Sequence, residues 1–170
     1  MNSFRPACLV LSAALAGCGY HISGQGELLP KTIHTIAVTP IPSTRYQLAR
    51  LLPADITREL ISRTKYKVID DPSQADAVLS GHVQNVSNFP TLFDPSTGRA
   101  TSVEVVVTLQ VNLTERSSGK ILFTRPSMEV RERYEVSENP QQYFDESGTA
   151  MMRLSKDVAQ SVVSAMLENF

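Results

Sequence analysis

Bulk charge is the first thing this sequence lacks. Sixteen Lys and Arg residues stand against seventeen Asp and Glu in 170 residues, a formal net charge of −1 at pH 7. Nucleic-acid binding draws on a basic excess, so no nucleic-acid partner is expected. Thiols are nearly absent. Of the two cysteines, Cys8 and Cys18, neither lies beyond Gly19, so the rest of the chain has no disulfide and no thiolate metal site. The fold must hold by packing. The one long apolar run, Ala7 to Ala16, is too short to span a bilayer. Catalytic groups are missing as sets. His21, His34 and His82 are scattered, with no pair at metal-ligand spacing. Gly24-Gln25-Gly26 lacks the following helix and lysine of a phosphate loop. Ser147-Gly148 lacks the strand-to-helix elbow of a hydrolase, and Asp70-Asp71 before Pro72 reads as a turn. No metal, no cofactor and no enzymatic activity are expected.

What is present begins with the leader. Arg5, an uncharged apolar run and small residues at a cut describe a secretory signal. The run ends in Leu15-Ala16-Gly17-Cys18, which resembles the bacterial lipobox, where the thiol is acylated and the chain is cut before it. Residues 1–17 are then a cleaved signal peptide and Cys18 is the lipidation site. The resemblance implies three acyl chains. At about 0.8 kcal/mol per buried methylene, attachment that stable needs more than one. Gly19, where Asp would favour the inner membrane, implies the outer membrane, with the chain lipid-anchored in its periplasmic leaflet. Residues 18–31, with Gly19, Gly24, Gly26 and Pro30, read as a lipidated N-terminus and tether. Residues 32–170 remain as one domain, long enough to bury roughly 70% of its unfolded surface.

Hydrophobic spacing gives the elements. Thr32 to Thr39 is short, rich in branched residues and stopped by Pro40 and Pro42, a first strand. From Tyr46 to Arg63, Leu48, Leu51, Leu52, Ile56 and Leu60 form one helical stripe, with Asp55, Arg58, Glu59 and Arg63 on the other faces. Pro53 makes this helix bend or begin there. Tyr66 to Ile69 is a brief candidate strand. Ala75 to Val86 reads as a long strand in which Gly81 marks a bulge or a close approach. Residues 87–100, with Pro90, Pro95 and an Asp94-to-Gly98 turn, read as a loop. Ser102 to Thr114 is the clearest element. Val103, Val105, Val107, Leu109, Val111 and Leu113 share one parity, so one face is buried and the other wet. Lys120 to Tyr134 returns as its hairpin partner, where Pro126 predicts an edge or a bulge. Asn139-Pro140 starts a long amphipathic helix, softened or brought close to the sheet at Gly148. The expected fold is an α/β (α+β) two-layer sandwich. It has a mixed, mostly antiparallel four-stranded sheet covered on one face by two helices.

Two sets of charges call for a reading. Glu129, Glu132, Glu135 and Glu138, with Arg131 and Arg133 between them, read as a solvated strand end with cross-strand ion pairs. Arg99, after one turn, and Arg116 and Lys120, around another, read plainly as surface charge. Their functional reading is contact with anionic groups such as glycolipid phosphates.

Cys18-Gly19-Tyr20-His21 with the Gly24–Gly26 tether, the strand Thr35-Ile36-Ala37-Val38, the helix end Thr57-Arg58-Glu59-Leu60, Ala75-Asp76-Ala77-Val78-Leu79-Ser80-Gly81 and the valine strand together resemble the LptE family of lipopolysaccharide-assembly lipoproteins. The resemblance runs over essentially the whole chain after the leader, and order and spacing carry it. It implies a two-layer α/β sandwich that plugs the LptD outer-membrane β-barrel translocon, helps that barrel fold, and binds lipopolysaccharide during insertion into the outer leaflet. It also implies lipopolysaccharide contact by basic residues on sheet-end loops, whose nearest matches are Arg99, Arg116 and Lys120. The alternative is a self-assembling outer-membrane lipoprotein of a secretion channel, similar to the curli-secretion group.

Overall fold

The computed structural model describes residues 29–136 and 140–168. The signal peptide, Cys18, the tether up to residue 28, and His21, Glu138 and Asn139 lie outside them. Seven elements follow in order: β1 (Thr35–Val38), α1 (Tyr46–Arg63), β2 (Lys67–Val68), β3 (Ala77–Phe93), β4 (Ala100–Glu115), β5 (Ile121–Glu135) and α2 (Pro140–Glu168). They form a mixed α/β fold of two helices and one five-stranded sheet, in the order β2-β1-β3-β4-β5.

The expected four strands become five because Lys67-Val68 pairs with β1, in parallel, through Thr35↔Lys67 and Ile36↔Val68. β1 also runs parallel to the start of β3. β3, β4 and β5 form an antiparallel meander. β1 and β2 end early, while the meander strands are 17, 16 and 15 residues long. The outer part of the meander therefore projects as a ribbon past its short neighbours.

β3 corrects the expectation of a loop over residues 87–100. It stays paired with β4 as far as Phe93↔Ala100, with register shifts around Gln84 and Thr91. Pro90 is tolerated because, among the described residues, β3 is an edge there: β1 pairs only with its first residues, and the last backbone hydrogen bond on that side is Val83 N to Pro42 O at 2.8 Å. At Gly81 close approach decides. An added Cβ would meet the Gln110 carbonyl oxygen at 2.4 Å. Gly148 does the opposite of what one reading of it expects, since a Cβ there meets nothing within 4 Å. Pro126 sits on edge strand β5, within a register shift between Leu109↔Met128 and Val111↔Arg125.

α1 spans Tyr46–Arg63 as the spacing predicts. It starts at Tyr46 rather than at Pro53, with Ala49 N donating to Arg45 O at 3.1 Å. Leu48, Leu52, Ile56 and Leu60 are fully buried. They share one core with Val105, Val107, Leu109, Val111 and Leu113 of β4 and with Leu154, Val158, Val162 and Met166 of α2. Burying a Leu or Val side chain contributes about 1.5–3 kcal/mol, so a core this continuous replaces the missing disulfides. The helices pack on each other, α1 also on β1 and β2, and α2 also on β5.

One polar group breaks this apolar contact. Asp55, placed by the spacing on an outer face of α1, is buried. Its carboxylate accepts from Ser155 Oγ of α2 at 2.6 Å and from Arg58 Nη1 at 2.6 Å. A buried carboxylate is stable only with such partners. Arg63 Nη1 to Ser164 Oγ, 2.7 Å, ties the helices again one end further on. Arg153 Nε to Glu132 Oε1, 2.5 Å, ties α2 to β5.

Candidate functional site

The two hairpin turns that flank β4 are built alike. In the first, Asp94 Oδ1 accepts from Ser96 N (2.7 Å), Ser96 Oγ (2.5 Å) and Thr97 N (2.9 Å). Gly98, at φ 67°, donates to Asp94 O, and Asp94 N donates to Arg99 O. The Ser96 hydroxyl first, then the Thr97 and Ser96 N–H groups, hold the Asp94 carboxyl below its ordinary pKa. In the second turn, Gly119 at φ 69° donates to Glu115 O, Glu115 N donates to Lys120 O, and Ser118 Oγ bonds Glu115 Oε2. Each turn needs a residue with positive φ, and glycine adopts it without a steric cost.

These turns place the three basic candidates, and they do not bring them together. Arg99 opens β4 at the tip of the ribbon. Arg116 and Lys120 follow its other end, about 50 Å away at roughly 3.3 Å per residue. No single headgroup spans that gap. Arg116 is partly engaged in structure: its N donates to Asp76 O and its Nε to Ala75 O at 2.7 Å, closing the start of β3. Lys120 is exposed.

Around Arg99 the ribbon is unusual in what it shows to solvent. From Val83 to Phe93 there is no charged residue. Phe89, Leu92 and Phe93 are 52%, 59% and 59% exposed, opposite Glu104, Ser102 and Ala100. Apolar side chains on a sheet edge that no described residue covers invite a partner. The segment hides this edge in sequence, because Asn85, Asn88, Pro90 and Pro95 give it loop composition. The signal available was the eleven-residue run without a charge.

Beside Arg116 the first strands are clasped. Asp76 Oδ2 accepts from His34 N, Thr35 N and Thr35 Oγ1, each at 2.9 Å, and Asp76 N donates to Thr35 Oγ1. The His34 N–H, then the Thr35 hydroxyl and N–H, lower the Asp76 carboxyl pKa. Residue 29 lies at this end, where Leu29 N donates to Tyr66 Oη at 3.2 Å.

The wet face of the ribbon carries the ion pairs expected across strands. Glu104 of β4 pairs with Arg131 and Arg133 of β5 at 3.4 Å each, and Arg131 also with Glu129 at 3.1 Å. Glu132 departs from that set, being turned to the helix side and Arg153. Asp71 accepts from Ser73 N at 2.8 Å, the turn that the sequence predicts. Among the described residues no group of three or more His, Cys, Asp or Glu is placed to hold a metal ion. No helix among them is long and apolar enough to cross a membrane. The arrangement offers an apolar tip with Arg99 as a binding surface, while at the other end Arg116 and Lys120 stand beside the carboxylates of Asp76 and Glu115.

Comparisons with known proteins give the family and the fold. The family model described as LptE, lipopolysaccharide-assembly, matches residues 33–166. No curated protein matches the sequence. Solved structures of similar fold include lipoprotein B from Nitrosomonas europaea, with TM-score 0.56 and 16% identity over 85% of this chain and 93% of that one. Rare lipoprotein B from Shewanella oneidensis gives TM-score 0.54 and 16% identity over 79% and 94%. A PelC dodecamer from Paraburkholderia phytofirmans gives 0.50 and 15% over 84% and 94%.

Proposed function

Because the chain belongs to the LptE family of lipopolysaccharide assembly, we propose that it is a non-catalytic outer-membrane lipoprotein that plugs and helps assemble an LptD-like β-barrel, aiding lipopolysaccharide insertion into the outer leaflet. In this reading residues 1–17 are removed, acylated Cys18 holds the chain in the periplasmic leaflet, and the domain from residue 32 is a two-layer wedge of helices on sheet. The observation that carries it is the ribbon tip. Phe89, Leu92 and Phe93 stand exposed on an uncharged edge that no described residue covers, and a surrounding wall would cover it. Arg99 stays the candidate lipopolysaccharide contact, since its cation lies beside that apolar cluster and so matches an amphipathic lipid.

Pull-down from detergent-solubilised membranes, with mass spectrometry of what is retained, tests the reading. A large barrel protein is expected with the wild-type chain, and much less of it with Phe89, Leu92 and Phe93 all changed to Ser. Recovery of no barrel from either sample overturns the plug. Arg99→Asp is expected to weaken lipopolysaccharide binding by the purified protein, and unchanged binding removes that contact alone.

The second reading, a ring-forming lipoprotein of a secretion channel, is favoured by the likeness to a PelC dodecamer. Native mass spectrometry of the unlipidated chain separates the two: the plug predicts a monomer, the channel a ring.

A further inference from the structure

The sheet shows two long edges: β5 along its whole length, and β3 beyond the reach of β1. They are guarded differently. β5 carries Arg125, Glu129, Arg131, Arg133 and Glu135, with Pro126 among them. Charges and prolines of this kind keep an edge from pairing further. The outer half of β3 has no such charge, since the run from Val83 to Phe93 is uncharged. Past the bond to Pro42 no described residue covers it.

The ladder shows which backbone groups stand open. Leu79 and Val83 face the β1 side: Leu79 O accepts from Thr39 N at 2.9 Å, and Val83 N donates to Pro42 O at 2.8 Å. Gln84 is the extra residue of a bulge, between Val83↔Leu109 and Asn85↔Thr108. The alternation of the strand therefore restarts one residue later. Asn85, Ser87 and Phe89 turn their backbone groups to β4, while Val86, Asn88 and Pro90 turn theirs outward. Pro90 fits this parity, because a proline has no N–H to give the ladder. The pairing shifts again around Thr91. A straight stretch from Asn85 to Pro90 is left, with N–H and C=O open at Val86 and Asn88 and C=O open at Pro90.

These groups select their occupant. Donors and acceptors recur every two residues, about 7 Å, which is the repeat of another extended backbone. An acyl chain has no hydrogen-bonding group along it, and a phosphate would meet no cation between Val83 and Phe93. A charged strand would be desolvated against an edge that offers no counter-charge. We propose that the β3 edge from Asn85 to Pro90 takes up one uncharged, extended peptide segment of the partner as an added strand. This pairing deepens the plug reading and rests on it for the identity of the partner, the LptD-like barrel; the open edge does not. A closed barrel pairs every strand of its wall, so the segment is one that stands outside that ladder.

Two measurements test it. In the purified unlipidated chain, amide exchange followed by NMR should be at least about tenfold faster at Val86 and Asn88 than at Ser87 and Phe89, which donate to β4. Equal protection of all four overturns the open edge, whatever the partner. The second is the pull-down from detergent-solubilised membranes. Asn88→Pro deletes an outward N–H and spares the β4 ladder, so the melting temperature should stay near wild type while barrel retention falls about tenfold. Ser87→Pro deletes a ladder bond and should lower the melting temperature instead. Equal retention by Asn88→Pro overturns the strand pairing and leaves the plug standing. In the retained wild-type complex, exchange of the Val83–Phe93 segment should slow about tenfold relative to the free chain. Unchanged exchange there overturns the pairing even where the proline variant folds poorly. No barrel with the wild type overturns plug and pairing together. A dimer of the free chain that Asn88→Pro returns to monomer puts a second copy on the edge, and overturns the pairing with the barrel.

Discussion

Asp55 is a carboxylate inside an apolar helix contact, and the cost of disturbing it follows from its two bonds. Asp55→Ala removes the acceptor for Ser155 Oγ and Arg58 and leaves a buried hydroxyl without its partner. A loss of about 2–3 kcal/mol is expected, against about 1 kcal/mol for Ser155→Ala, read by urea unfolding. The double variant should cost less than the sum, because both changes remove the same bond. Gly81→Ala should cost about 1–3 kcal/mol, since its methyl meets the rigid Gln110 backbone. Asp76 makes stability depend on pH in a definite direction. Its folded pKa lies below the ordinary 3.8, so the clasp on His34 and Thr35 is fully present above that value and is lost as pH falls through the lower folded one. Melting temperature should therefore drop below about pH 4 in the wild type. Asp76→Asn should melt lower at pH 7 and show a shallower drop in acid. Asp71 and Asp94, lowered in the same direction, act alike.

Among the elements, β4 and α1 were legible because each carries its own period. The alternation from Val103 to Leu113 needs no partner to be seen, and the stripe from Leu48 to Leu60 gave the observed helix bounds. Leu109→Ala is accordingly expected to cost about 2–5 kcal/mol, while Thr108→Ala on the wet parity stays within about 0.5 kcal/mol, both by urea unfolding. What stayed hidden depends on neighbours. The outer half of β3, with Asn85, Asn88 and Pro90, has loop composition and is held extended by β4 across the hairpin. β2 is two residues long and exists through two pairs with β1. Spacing puts Asp55 on an outer face because its partner, Ser155, is a hundred positions away on another helix. The candidate site shared this fate. Arg99, Arg116 and Lys120 are legible as turn residues, but a strand length, not a motif, sets them at opposite ends.

For the whole molecule, the ribbon separates reach from stability. Changing Phe89, Leu92 and Phe93 to Ser should leave the melting temperature nearly unchanged, because these side chains are already exposed. The same variant should lose its barrel partner in the pull-down, and that split between folding and capture distinguishes an interface from a packing defect. Between Val83 and Val103 no apolar side chain is buried, so nothing in the core counts how many residues the hairpin tip contains. Because strands repeat every two residues, taking two from β3 and two from β4 would retract the tip by about 7 Å without turning a single side chain to the wrong face. The protein thus carries something like a caliper jaw. Evolution or an experimenter can slide it in 7 Å clicks to suit the depth of whatever it is lowered into, while the body that grips it stays the same.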